Sequence, residues 1–318
     1  MNVRRNLETN PSRRLLCASD LTPRSERALR RAVLLARQME AKLTVLHVID
    51  AARPRRAVRA ESNRAYVNLL SLVEKTSGPG AANIDISVLP GRPFDVISKA
   101  AIEWDADLLV IAAPEPRPLD SLVGTTAERL IRATERPVLL VRDDAQRPYE
   151  RVALATDLSS RSIAMMRTAA EFGILDGTQA TVLHAFEPPY QGQLRAAGVD
   201  DVELQGYRGC WRHDISRRVH AMLSAAGVDP HALRVRTPVD LPLPAIRNVV
   251  EQERAELLAI GSSRWFAMKR LLIGSVADGV LRGVDCDVLV IPHTADVTRD
   301  ARELMQPSLH QNRERNFA

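Results

Sequence analysis

The sequence predicts an α/β protein made of two doubly wound domains with parallel sheets, in one chain of 318 residues. Three observations predict it. Short apolar runs alternate with segments of helical spacing, the pattern of parallel strands joined by crossover helices. The alternation restarts once, after a polar stretch. The two copies also share marker residues at fixed offsets. Asp20 and Asp157 are 137 apart (157 − 20), as are Thr44 and Thr181 (181 − 44). Pro93 and Pro242 are 149 apart (242 − 93), as are Asp107 and Glu256 (256 − 107). The second copy is therefore about 12 residues longer (149 − 137), in the stretch around 188–214. A repeat of domain length means two homologous domains rather than a solenoid.

Residues 1–13 read as a loose basic lead-in. Residues 15–19, LLCAS, form a buried strand ending at Asp20. Thr22 is an N-cap, with Pro23 at the first helical position and Glu26 in the first turn. Ala28, Leu29, Ala32, Val33, Leu35, Ala36 and Met39 mark the helix's apolar face. Residues 43–49 form the second strand. The basic stretch 51–64, AARPRRAVRAESNR, reads as a solvated loop leading into a helix over 64–75. Ser77-Gly78-Pro79-Gly80 stops that helix. A third strand spans 84–89, and the turn Gly91-Arg92-Pro93 leads into a helix over 94–104. A strand at 108–111, a helix at 125–133 and a strand at 137–141 complete the first copy.

Polar residues 142–150 then interrupt the pattern. The second copy starts with the strand VALAT before Asp157, and TVLH at 181–184 repeats the TVLH at 44–47. A helix at 211–223, a strand at 233–236 and a helix at 245–254 follow. The expected boundaries are 1–13 for the lead-in, 14–142 for domain one and 143–150 for the linker. Domain two takes 151–293, and 294–318 is a polar tail with a short surface helix at 299–305.

Composition narrows the function. Lys and Arg total 44 and Asp and Glu 39, a net charge of +5. That mild excess permits anionic ligands without requiring nucleic acid. No basic-aromatic interleaving favours single-stranded nucleic acid. Cys17, Cys210 and Cys286 lie far apart with no CxxC, as in a reduced cytosolic protein. No apolar run approaches membrane-spanning length, and the N-terminus lacks a signal's apolar core. The expected location is cytoplasmic.

The stretch 257–292 carries the main chemical motif. It reads as strand, Gly261-Ser262-Ser263 loop, basic segment, Gly274-Ser275, helix and strand. A glycine turn feeding a helix N-terminus presents free backbone N–H groups, the physical recipe for holding phosphate.

At this point the residues carry a family. LLCASDLTPRSERALRRAVLLA, LTVLHVID, DLLVIAAP and GTTAERLIRATERPVLLV in the first copy resemble the universal stress protein family in its tandem form. So do VALATDLSSRS, TVLHAFE, ELLAIGSSR and GSVADGVLRGVDCDVLVIP in the second. The two-domain E-type branch is the nearest likeness. The resemblance implies strand order 3-2-1-4-5 in each five-stranded sheet, with the two last strands meeting in an intramolecular pseudo-dimer. The oligomeric expectation is a monomer with a pseudo-twofold, or a homodimer of it.

The family's nucleotide-binding members carry Gly-x2-Gly-x9-Gly-Ser/Thr at the loop. Carried onto domain two, the resemblance gives Asp157 and Ala185 to the adenosine side. Gly261, Ser262, Gly274, Ser275 and Val276 form the loop and helix start. Arg264 stands where the family has its second glycine. Arginine adds bulk and a conformational penalty there, but also a forked cation suited to phosphate oxygens. It either fills the site or serves it. Domain one departs further. Asp20 and Val48 match, and Gly124 and Thr125 survive. Ala112 and Glu115 replace the two loop glycines, and Pro114, Pro116 and Pro118 stiffen the loop. This second site reads as degenerate.

The implied function is a non-catalytic stress-response protein. It binds ATP or a related small anionic ligand in domain two, modulating conformation or protein partners yet to be identified. The alternative is an interaction or scaffold module that has lost nucleotide binding, or holds a different, partly apolar ligand beside Trp265 and Phe266. No catalytic residue and no metal are expected. His47 and His184 are single histidines at equivalent strand ends, read as structural. Cys210, His213, Asp214 and His220 match no compact zinc set. Ser275 lacks a nucleophile elbow and a histidine partner. Lys269 and Arg270 read as solvated loop charge.

Overall fold

The computed structural model describes residues 13–52, 54–78, 83–114, 125–262 and 275–292. The first half contains β1 (Arg14–Ser19), α1 (Pro23–Gln38), β2 (Lys42–Ile49), α2 (Arg55–Ser77) and β3 (Ile84–Pro90). It continues with α3 (Pro93–Glu103), β4 (Leu108–Ala112), α4 (Thr126–Ala133) and β5 (Val138–Val141). The second half contains β6 (Arg151–Ala155), α5 (Ser160–Glu171), β7 (Gln179–Leu183), α6 (Gln191–Ala196) and α7 (Asp201–Ala225). Then come β8 (Arg234–Arg236), α8 (Pro242–Gln252), β9 (Leu257–Ser262), α9 (Ser275–Gly283) and β10 (Asp287–Pro292).

The strands form one ten-stranded sheet in the order β3-β2-β1-β4-β5-β10-β9-β6-β7-β8. Each half has the order 3-2-1-4-5. The two halves meet at β5 and β10, the sheet's antiparallel pair, with Leu139 opposite Leu289. These leucines occupy equivalent positions (289 − 139 = 150), so the pseudo-twofold passes between them. Each short apolar edge is thus covered by the other, which removes both as sites of misassembly. One core lies under α1, α2, α5 and α7 and takes in Leu139 and Leu289. The other lies under α3, α4, α8 and α9 and takes in Leu140 and Val288. Both cores therefore cross from one half to the other.

A buried polar clasp breaks the symmetry. Asp287 is fully buried at the start of β10. Its Oδ2 accepts from Arg31 Nε on α1 at 3.2 Å and from the Tyr149 hydroxyl at 2.6 Å. Its Oδ1 accepts from the backbone N–H groups of Arg142 and Asp143 at 2.8 and 3.1 Å. The Arg31 guanidinium also lies 3.7 Å from the Tyr149 ring centre. Four hydrogen bonds and a stacked ring offset the desolvation of the pair. Burial, followed by the Asp287 charge, pushes the Tyr149 hydroxyl well above its ordinary pKa. The equivalent positions in the other half are Pro137 (287 − 150) and Thr168 (31 + 137), which carry no charge.

The duplication extends to backbone strain. Left-handed residues recur at matched sites: Leu21 and Leu158, Glu40 and Gly177, Asp105 and Arg254. The acids at the starts of β4 and β9 also repeat a role. Asp107 accepts from the Arg14 N–H at 2.8 Å, and Glu256 from the Arg151 N–H at 3.2 Å.

Two helices are longer than the sequence pattern predicts. α2 begins at Arg55, so most of the basic 51–64 stretch is helix rather than loop. Arginine and alanine favour the helix, and the packed Ala65, Leu69 and Val73 anchor its continuation. α7 begins at Asp201, ten residues before the expected 211. Over its first half only Leu204 is buried, which leaves little apolar periodicity to read. Residues 1–12 of the 1–13 lead-in, residue 293, the tail 294–318 and the expected helix at 299–305 lie outside the described residues. No helix among the described residues is long and apolar enough to cross a membrane.

Candidate functional site

β6 lies between β9 and β7 in the sheet. The chain leaves β6 toward β7 on one side, while β9 leads to β10 on the other. The strand order therefore reverses between β6 and β9, and a crevice opens beyond their carboxyl ends. A cavity of about 360 Å³ occupies this crevice, within the usual range for a small-molecule site. Leu183, Ile246, Ile260 and Val276 give it apolar walls. Asp157, Arg161 and His184 supply its ionisable groups, with Ala185 and Gly261 alongside.

The loop after β6 fixes Asp157. Leu158 adopts φ 58, which reverses the chain and brings the following N–H groups back over the carboxylate. Asp157 Oδ1 accepts from the Ser159 N–H at 3.0 Å, from the Ser159 hydroxyl and from the Ser162 hydroxyl at 2.8 Å. Its Oδ2 accepts from Arg161 Nη2 at 2.9 Å. Burial works against ionisation, but these donors outweigh it and hold the carboxyl's pKa at about 2. The group is a carboxylate at any physiological pH.

His184, at the end of β7, serves the same loop. Its Nδ1 lies 2.8 Å from the Thr156 carbonyl oxygen, which can only accept. The neutral ring therefore carries its proton on Nδ1. Burial lowers the His184 pKa and keeps the ring neutral, leaving Nε2 as an acceptor. His47 repeats this contact with the Ser19 carbonyl at 2.7 Å. Both histidines tie a strand end to its neighbour, and His184 also lines the cavity.

Helices α8 and α9 close the far wall. A Cβ on Gly279 would sit 2.5 Å from Leu243 Cδ2, so the glycine permits the two helices to approach. The approach places Pro242 and Ile246 of α8 and Val276 and Ala277 of α9 on one cavity. A Cβ on Gly261 would meet nothing within 4 Å among the described residues, so β9 presents open backbone there.

The first half builds its equivalents differently. Asp20 Oδ1 accepts from the Thr22 N–H at 3.1 Å and the Thr22 hydroxyl at 2.5 Å. Burial opposes ionisation of Asp20 as well, and the Thr22 bonds lead the groups that lower its pKa. Val48 is half-buried. Thr125 caps α4 in a capping box with Glu128: the Glu128 N–H donates to Thr125 Oγ1 at 3.2 Å, and the Thr125 N–H to Glu128 Oε2 at 3.1 Å. The Thr125 N–H at the helix start is thus taken by the protein's own carboxylate. Glu128 Oε1 also lies 3.3 Å from Arg282 Nη2 of α9. In the second half the matching acid is Asp278 (128 + 150), which pairs instead with Arg282 at 3.1 Å.

Of the residues expected at the better-kept site, Asp157, Ala185, Gly261 and Val276 come together on one cavity. The backbone of Ser262 ends β9 and that of Ser275 begins α9. Arg264 and Gly274 lie outside the described residues, as do Gly124, Glu115, Pro116, Pro118, Trp265, Phe266, Lys269 and Arg270. No group of three or more His, Cys, Asp or Glu side chains among the described residues could hold a metal ion. Sequence reasoning missed Ser159, Arg161, Ser162 and the α8 wall. The signal was present: Arg24 and Ser25 precede Arg161 and Ser162 by the same 137 residues (161 − 24, 162 − 25).

Comparison with known proteins matches the model of the universal stress protein family twice, over residues 11–142 and 148–292. A curated universal stress protein of Mycobacterium tuberculosis is 28% identical over 151 residues, covering 46% of this chain and 97% of the relative. A solved universal stress protein of Archaeoglobus fulgidus superposes with a TM-score of 0.65 at 19% identity, covering 89% of this chain and 97% of its own. A Pseudomonas aeruginosa structure of unknown function superposes with a TM-score of 0.61 at 18% identity, covering 89% and 93%.

Proposed function

Because the chain belongs to the universal stress protein family, as a tandem pair of its domains, we propose that it is a non-catalytic binding protein. Its ligand is ATP or a related anionic adenine nucleotide, held in the second half. The observation that carries this reading is the cavity at the strand reversal, where Asp157, Ala185, Gly261 and Val276 converge from four segments.

Each group has a task in that reading. The apolar walls take the planar base. Asp157 accepts from ligand hydroxyl or amino groups, and its firm ionisation keeps it an acceptor. Open backbone at Gly261 and the N-terminus of α9 receive phosphate oxygens. Arg161 adds a cation at the cavity wall. The bound nucleotide changes the protein's conformation or its choice of partner. The cytoplasm is the proposed location.

Equilibrium dialysis with ATP tests this on the wild-type chain and on the double variant Asp157→Ala, Gly274→Ala. The reading expects saturable binding that the variant loses. Equal binding by both proteins, or none by either, overturns it. A partly apolar ligand is the second reading, favoured by the apolar walls. It would be retained through purification and resist displacement by ATP.

A further inference from the structure

Helix α2 starts in an electrostatically unfavourable way. Its first two turns carry Arg55, Arg56 and Arg59, all exposed. The first turn has no acidic residue, and Pro54 supplies no side-chain cap. Cations here face the positive end of the helix dipole. None of the three has an ionic partner among the described residues. The same side of α2 then becomes apolar. Tyr66, Val67 and Leu70 are 46%, 62% and 39% exposed. At 3.6 residues per turn, Arg55, Arg59, Tyr66 and Leu70 fall within about 60° of arc. A basic tip thus runs into an uncovered apolar stripe.

The equivalent crossover helix of the second half has the opposite tip. Asp200 caps α7, and Asp201 and Glu203 lie in its first turn. Between them Val202 is 78% exposed. Asp200 Oδ1 accepts from the Glu203 N–H at 2.8 Å, and Asp201 makes a loose exposed pair with Arg195 at 3.6 Å. These acids suit their own helix dipole, so the knob is stable as it stands. Helices α2 and α7 pack on the same face of the sheet, at its two ends. The halves run antiparallel across β5 and β10, so the tips point to opposite corners and do not meet within one chain.

We infer that the two tips are the two sides of one self-association surface: α2 of one copy receives the α7 tip of a second copy. Three exposed arginines beside an apolar stripe face three acids around an exposed valine. Charge opposition steers the encounter and fixes register, while Val202 covers part of the Tyr66–Leu70 stripe. Every copy carries both sides, so the contact is reciprocal in a closed pair or repeats head to tail.

Sedimentation velocity of the full chain tests this. The wild type is expected to self-associate, less so as salt rises from about 0.05 to about 0.5 M. Arg55→Glu/Arg56→Glu/Arg59→Glu and, separately, Asp201→Lys/Glu203→Lys should each weaken association by about tenfold or more. The first variant is acidic at both tips and the second basic at both, so mixing them should restore association. Circular dichroism melts verify that both variants keep the fold. A wild type that stays monomeric at about 100 μM in low salt overturns the inference. So does association that ignores both reversals, or a mixture that fails to recover.

Discussion

The two halves begin with the same loop and end with different sites. Both place an aspartate after the first strand, follow it with a left-handed leucine, and brace the strand end with a histidine. They diverge at the last helix. In the first half Glu128 folds back on the start of α4, and Arg129 lies 4.1 Å from the Phe94 ring centre. In the second half Asp278 points along its helix to Arg282. Gly279 stands where Arg129 would be (279 − 129 = 150), against Leu243. Asp278, one methylene shorter than Glu128, makes its ion pair within its own helix, and the glycine brings α8 and α9 together around the cavity. The proposed ligand cradle belongs to the second of two copies of one scaffold, and the first copy carries the capping box instead.

The largest effect belongs to the clasp that distinguishes the halves. Asp287→Ala leaves Arg31 buried without its partner and should cost about 3–5 kcal/mol in urea unfolding. Thr168→Ala, at the uncharged equivalent of Arg31, should cost under about 1 kcal/mol. Similar losses would remove the asymmetry. Next, Asp157→Ala should weaken ATP binding by about tenfold to a hundredfold, the value of one or two charge-assisted hydrogen bonds. Asp20→Ala should leave it unchanged in the same dialysis.

Gly279→Arg installs the first half's residue where a Cβ already meets Leu243. It should part α8 from α9 and weaken ATP binding by about tenfold, whereas Arg129→Gly should not alter it. Glu128→Ala removes one member of a capping box and should cost about 1 kcal/mol of stability, read by thermal melting, with ATP affinity intact. The smallest effect is in pH. The Asp157 pKa is depressed to about 2 from 3.8, so its contribution to stability is present above 3.8 and lost as pH falls toward 2. A titration by NMR with its midpoint near 4 would contradict the hydrogen bonds drawn for it.

Most of the fold was legible because its signals are local and repeated. Apolar runs give the strands, Thr22 and Pro23 give a helix start, and the offsets give the duplication. Joining the halves through β5 and β10 was legible only through the family resemblance. The long first turns of α2 and α7 were not legible, because they bury almost nothing and so carry no periodicity. Asp157, Ala185, Gly261 and Val276, which line one cavity, were named through the family resemblance. The clasp of Arg31, Tyr149 and Asp287 was not, since it joins residues up to 256 apart in the chain. Nor was the self-capping of the first half, where Glu128 reads as an ordinary helix-start acid until its carboxylate is seen on the Thr125 N–H.

The central claim is that one half of a duplicated scaffold holds a nucleotide and the other does not. Isothermal titration of the full chain with ATP tests it most directly. The account predicts one site per chain, weakened about tenfold to a hundredfold in Asp157→Ala and unchanged in Asp20→Ala. Two equivalent sites per chain, or a site lost in Asp20→Ala and kept in Asp157→Ala, would contradict it.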